Sequence, residues 1–283
     1  VSASIFLIYP IGATYGYIDV YEFLYNAGNK NFIRVFIQGG RPVYGLINKF
    51  LLTGISSVEQ LTWLRCFGVA GLVLAALTFL FMLNRFFING VLALLCVLFF
   101  LATPSANITG IWVGTYQVGW ALAMALLGGY LALTGLTNAG IKNRWLLISG
   151  GALLGLLALL TYQPCFTAFI IPGLLYFLKG TDHKKVIAFL AFYFSLYGVY
   201  YILHNLILNL TGLQPLSRTG LTTDPIGKVV WFFRWPLKMA YQDNFLFYPA
   251  GYQKLIAVLF LLLTLTAVFY LIRGKNARAI MLS

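Results

Sequence analysis

Several stretches of this sequence run longer than the roughly 18 apolar residues that a helix needs to cross a bilayer. Composition agrees with that reading: the chain is 61% hydrophobic and 9% charged, with 24 Phe and 18 Tyr in 283 residues. No soluble core of this size needs so much apolar residue. The expected fold is therefore all-α, a polytopic transmembrane helical bundle forming a single domain over residues 1–283. The apolar runs predict about eight spans, at about 1–12 (partial), 58–83, 88–104, 112–136, 145–162, 164–178, 186–210 and 252–272. Ser56, three residues before Glu59, reads as a capping box opening the second of these. The chain opens at Val1 with a partial span and ends on "RGKNARAIMLS", which reads as part of a longer protein.

Orientation follows from the loops. Arg85 lies between the second and third spans, and Lys142 with Arg144 between the fourth and fifth. Lys179, Lys184 and Lys185 lie between the sixth and seventh, and Arg273, Lys275 and Arg278 follow the eighth. Every second connection is short and basic, which assigns those connections to the cytoplasmic side. The connections 13–57 and 211–251 then face outward, with five of the six acids: Asp19, Glu22, Glu59, Asp224 and Asp243. Ten further lysines and arginines lie on that face, where membrane topology requires none.

The outer face is thus where polar chemistry concentrates. Asp19 and Glu22, in "YIDVYEFLYNAG", are three apart and share a face if the segment is helical. A partly desolvated carboxylate can serve as a general base, and a pair of them could hold a divalent cation. The ordinary alternative is a solvated acid, or one paired with Arg34 or Arg41. In "RVFIQGGRPVYGLINKF", Gly39-Gly40 permits a tight turn, and Arg41 precedes Pro42 at the start of a helix running to about Leu52. At about 11 residues with Lys49 inside, that helix suits the interface rather than a span. Arg41 could clamp a phosphate bidentately, or merely snorkel.

"LLTYQPCFTAFIIPGLLYFL" joins two spans at Tyr162-Gln163-Pro164 with almost no loop. At about 1.5 Å per residue the second leg, 164–178, reaches only about 22 Å against a core of about 30 Å. The hairpin tip should therefore lie below the membrane surface, with Gln163 either lining a wet cavity or bonded to a neighbouring carbonyl. The last outer loop mixes Trp231, Phe232, Phe233 and Trp235 with Lys228, Arg234 and Lys238, and Arg218 stands at its start. That mixture suits a headgroup-level belt and equally a lipid phosphate with a sugar stacked beside it. His204 reads as a bundle-facing polar residue, and the glycines of "ISGGALLGLL" as close helix packing. The three cysteines show no metal-ligand spacing, and the net charge of +13 is split between two membrane faces, which excludes a nucleic-acid binder.

An acid soon after the first membrane helix, a "GRP" opening a short helix in the same loop, and a later "YQP" between two helices resemble a known family. These motifs, over roughly residues 1–210, resemble the Gtr-type glucosyltransferases of bacterial surface polysaccharides, in the GT-C superfamily of membrane glycosyltransferases. The resemblance implies a bacterial inner-membrane enzyme and a sugar donor carried on a polyprenyl phosphate. It also implies inverting transfer on the outer face to a polysaccharide or glycan-lipid acceptor. It matches Asp19 to the catalytic acid, Arg41 to the "GR" arginine, and Tyr162 and Gln163 to the "YQ" pair. Family members often carry adjacent acids here; Ile18-Asp19-Val20-Tyr21-Glu22 has no adjacent pair, so Glu22 competes with Asp19 as the base. Arg34, Arg41, Arg218, Arg234 and Lys238 are the cations available to a departing lipid phosphate. The competing expectations are a flippase for an anionic lipid or lipid-linked glycan, and a structural subunit of a membrane complex. The first requires polar groups at the membrane midplane, where the sequence has almost none.

Overall fold

Backbone amides in hydrocarbon have no water to bond to, so a chain this apolar satisfies them within helices. The computed structural model describes residues 24–25, 30–55, 57, 59–86, 90–102, 106, 113–138, 140, 142–179, 183–216, 224–235, 258 and 262. Among these there is helix, turn and coil, and no strand. The helices are α1 (Lys30–Gln38), α2 (Pro42–Leu52), α3 (Thr62–Phe86), α4 (Gly90–Ala102) and α5 (Gln117–Thr137). They continue with α6 (Arg144–Tyr162), α7 (Ile171–Leu178), α8 (His183–Thr211) and α9 (Pro225–Arg234). Short 3₁₀ segments cover Glu59–Leu61, Val113–Thr115 and Gln163–Ile170.

Four helical runs are long and apolar enough to cross a membrane: Glu59–Phe86, Gln117–Thr137, Arg144–Leu178 and His183–Thr211. That differs from about eight spans in three ways. The stretches at 1–12 and 252–272 lie outside the described residues, apart from 258 and 262. Helix α4, where a span is expected at 88–104, has 13 helical residues, or about 20 Å, and positions 87–89 and 103–105 on either side lie outside the described residues. The two spans expected at 145–162 and 164–178 belong to one helical run that folds back on itself. A Cβ placed on Gly155 would come within 2.9 Å of the Phe169 ring, whereas a straight helix would hold those residues about 21 Å apart.

The fold-back is made at Tyr162, whose backbone is extended, at φ −157° and ψ 98°. Pro164 follows, with no N–H to offer the ladder of α6. The returning leg rises further than an α-helix of the same length would. Its first eight residues are 3₁₀, which rises about 2.0 Å per residue instead of about 1.5 Å. With the eight residues of α7, the leg reaches about 28 Å, which narrows the shortfall against a core of about 30 Å to about 2 Å.

Helix α5 is central: 56% of its apolar window is buried, against 17% for α8. It packs against α3, α6, α7, α8 and the 3₁₀ segment 163–170. Lipid tails are as apolar as leucine, so such contacts rest on close approach rather than on escape from water. Gly151 and Gly155 of the glycine-rich patch supply it: a Cβ on Gly151 would stand 2.7 Å from the Gly128 carbonyl oxygen and 2.8 Å from Ala132 Cβ. One aromatic core forms where Phe166, Phe169, Phe189 and Tyr193 meet, with the Phe166 and Tyr193 rings stacked at 4.9 Å.

A second, smaller core joins Tyr44, Leu52, Leu61, Leu64 and Tyr116. It holds α1 and α2 against the starts of α3 and α5. Edge-on rings run from Phe36 to Tyr44 at 4.8 Å and on to Tyr116 at 5.6 Å. Two buried hydrogen bonds lock it: Tyr44 Oη donates to the Gly114 carbonyl at 3.0 Å, and Tyr116 Oη donates to Asn48 Oδ1 at 2.8 Å. The chain divides into two compact units, Val1–Ala102 with Ala106–Thr219, and Thr103–Ser105 with Gly220–Ser283. In the second, Asp224 caps α9 by accepting from the Gly227 amide at 2.8 Å. The described apolar side chains of α9, among them Trp231 and Phe233, are exposed.

Candidate functional site

The site begins with a local turn. Helix α1 ends in a Schellman closure: the Gly40 amide donates to the Ile37 carbonyl at 3.0 Å, and the Arg41 amide to the Phe36 carbonyl at 2.8 Å. This motif places its C′ residue in the left-handed region, and Gly40 sits there at φ +73°. Pro42 then occupies the first position of α2, where a missing N–H costs nothing. One residue, Arg41, thus closes α1 and opens α2. "GGRP" is a corner between two helices, and α2 spans the Pro42–Leu52 stretch that its proline and length predict.

Onto this corner comes Gln163 from the fold-back of α6. Its Nε2 donates to the Gly40 carbonyl at 2.9 Å and the Gly39 carbonyl at 3.1 Å, and stands 2.7 Å from the Tyr200 hydroxyl of α8. Tyr200 Oη donates in turn to the Gly40 carbonyl at 3.0 Å. The two carbonyls determine which end of the amide is nitrogen, since only NH₂ can donate to both. That leaves Oε1 facing Arg41, and Arg41 Nε donates to it at 3.1 Å. The guanidinium carbon lies 4.5 Å from the centre of the Tyr162 ring, a cation–π distance.

Arg41 is therefore gripped by one nitrogen and one face. Among the described residues its two terminal nitrogens meet no acceptor, and each carries N–H groups in the fork geometry that matches a phosphate. The side chain is half-buried. Beneath it Tyr44 is 2% exposed. Burial pushes its phenol above the usual tyrosine range, while Asn48 and the Arg41 charge work the other way. Burial likewise raises the Tyr116 phenol, with Tyr44 adding to the effect. Both stay neutral hydrogen-bond donors, so the platform under Arg41 carries no charge of its own.

The predicted residues divide as follows. Arg41, Tyr162 and Gln163, up to 122 positions apart, meet in one cluster. Arg34 is exposed on α1 and makes none of the cluster's contacts. Arg234 is exposed in the last turn of α9, in the other unit. Asp19, Glu22, Arg218 and Lys238 lie outside the described residues, as does Ser56 of the expected capping box; Glu59 accepts a hydrogen bond from Ser57. The divalent cation considered at Asp19 and Glu22 falls there too. Among the described residues, no three His, Cys, Asp or Glu side chains gather as a metal site.

Tyr200 is the participant that sequence reading missed. The available signal was its spacing from His204, four positions on and so on the same helical face. The two rings stack, with centroids 6.1 Å apart and planes 4° from parallel. His204 is 4% exposed, and neither ring nitrogen has a partner among the described residues. It faces the bundle, as its position near the end of α8 implied. No family model matches the chain, and no curated protein and no solved structure is significantly similar to it.

Proposed function

We propose that this chain is a membrane glycosyltransferase of the GT-C kind, part of a bundle with more spans than the four described. In this reading it moves a sugar from a polyprenyl phosphate donor to a polysaccharide or glycan-lipid acceptor, on the outer face of a bacterial inner membrane, with inversion. The observation that supports the reading is the posture of Arg41. The arginine of the Gly-Arg-Pro motif is held by the glutamine and tyrosine of the Tyr-Gln-Pro motif, and among the described residues its terminal nitrogens meet no acceptor.

The chemistry follows from those parts. An acceptor hydroxyl attacks the anomeric carbon, and a new oxygen–carbon bond forms as the bond from that carbon to the phosphate oxygen breaks. The bonding pair leaves with the lipid phosphate, and the hydroxyl proton passes to Asp19, or to Glu22 if the roles are exchanged. Negative charge grows on the departing phosphate, and a guanidinium fixed beforehand stabilises it without reorganising. Arg41 fills that role. Gln163 and Tyr162 position it, and Arg34, Arg218, Arg234 and Lys238 are the further cations in reach of the reading.

The test is single-turnover transfer by the purified chain from a lipid-linked sugar. Asp19→Asn is expected to slow transfer about 10²- to 10⁴-fold, and Arg41→Gln about 10²- to 10³-fold. Loss in Glu22→Gln with near-normal Asp19→Asn would exchange the two acids. Near-normal turnover in both acid variants would remove the mechanism.

A further inference from the structure

At the opposite end of α6, about 28 Å away along its 19 residues, the bundle opens into a cavity of about 450 Å³. It lies where α3, α5 and α7 end. Its walls include Phe86 and Leu133, and its polar groups include Arg85, Tyr130, Tyr176 and Lys179. The volume falls in the range of ~300–1,000 Å³ typical of small-ligand sites.

The charges here are disposed unlike those near Arg41. The three connections at this end carry Arg85, Lys142, Arg144, Lys179, Lys184 and Lys185, six cations, against one acid, Asp182. Lys185 Nζ donates to the Thr137 carbonyl at 3.0 Å, closing the C-terminus of α5, and the Arg144 guanidinium lies 5.0 Å over the Trp145 ring. Arg85 and Lys179 instead border the cavity, from different helices, and neither meets an acid among the described residues. The Tyr130 ring packs edge-on against Phe81 at 5.3 Å, and its hydroxyl has no hydrogen-bond partner among the described residues. The threonine hydroxyls of the wall are already donating: Thr134 to the Tyr130 carbonyl and Thr137 to the Leu133 carbonyl, each at 2.8 Å.

The cavity lining thus combines two cations and a phenol donor with apolar side chains. That is the pattern of an amphiphile bearing a phosphate. We propose that it binds the phosphodiester headgroup of an anionic phospholipid, with Arg85 and Lys179 on the phosphate, Tyr130 donating to it, and the acyl chains leaving past Phe86. Basic clefts between membrane helices are where such headgroups are held. The proposal rests on the chain spanning a membrane and is independent of the glycosyl-transfer reading.

Native mass spectrometry of the full chain in mild detergent tests it, titrating phosphatidylglycerol, phosphatidylcholine and inorganic phosphate separately. A cation beside an anionic lipid surface contributes about 1 kcal/mol, or about fivefold. Wild type should therefore prefer phosphatidylglycerol over phosphatidylcholine about thirtyfold. The preference should collapse in Arg85→Gln/Lys179→Gln and persist in Arg85→Lys/Lys179→Arg. On unaltered protein it should shrink as salt rises from 0.05 to about 0.5 M. Equal binding of the two lipids, or a preference untouched by the Gln pair, would overturn the site and leave both cations as offsets to helix dipoles. Saturation by inorganic phosphate without lipid preference would overturn the lipid and make free phosphate the ligand.

Discussion

The two ends of α6 carry polar side chains for different purposes. At the Tyr162 end, glutamine, tyrosine and backbone carbonyls satisfy one another within 3.1 Å, and a single arginine is left with unspent donors. At the Arg144 end, cations outnumber acids, the rim is open, and the hydrogen bonds are mostly helix closures. The first arrangement is costly to disturb because each group is another's only alternative to being buried unpaired. The second is cheap to disturb because Arg85 and Lys179 already reach water. The contrast teaches that charge marks the place where a ligand is attracted, whereas a satisfied neutral network marks the place where one cation is aimed.

That contrast can be broken at four points, in falling order of expected effect. Gly40→Ala should cost about 2–4 kcal/mol, since it adds left-handed strain and drives a Cβ to 2.7 Å from Gln163 Nε2 and against the Tyr200 hydroxyl. A thermal midpoint in detergent lowered by less than a degree would show that the corner is softer than drawn. Gln163→Leu should cost about 1–3 kcal/mol by orphaning the Arg41 Nε and the Gly39 carbonyl. It should also reduce the maximal transfer rate more than it raises the donor KM, because it releases a positioned arginine.

Alkaline pH comes third. Burial raises the folded-state pKa of the Tyr44 and Tyr116 phenols above their unfolded values. Their contribution is therefore complete below about pH 10 and is lost as pH climbs from there toward the folded pKa, by about 1.4 kcal/mol per pH unit for each phenol. The thermal midpoint should be level from pH 8 to about 9.5 and fall above it. Tyr116→Phe should make that fall shallower, and an equally steep fall would assign it to other groups. Smallest of all, Arg85→Gln/Lys179→Gln should change the midpoint by no more than about 0.5 kcal/mol, despite its expected effect on lipid preference. A loss comparable to that of Gln163→Leu would erase the distinction between the two ends.

Much of this was readable from local chemistry. The Gly-Gly-Arg-Pro corner and the limits of α2 follow from a glycine at C′ and a proline at N1, both decided within about four residues. The α5 and α8 runs emerged close to their expected bounds for the same reason. Expectations failed where geometry is collective. The 3₁₀ leg 163–170 has the apolar character of an α-helix, and that character does not record its longer rise. Tyr200 was marked only by its spacing from His204, because nothing on α8 records what stands opposite it.

What the sequence determined alone is the material: an all-helical, membrane-length chain, with glycines that let helices touch and an arginine pinned between two of them. Hydropathy and capping act over a few residues, so they can be read without a partner. What the tertiary structure decided is the partnership of Arg41 with Gln163 across 122 positions, and the opening between three helix ends where Arg85 and Lys179 stand. Those depend on how helices cross and how far each leg rises. Crossing and rise are set by the sum of many side-chain contacts, and no single residue carries them.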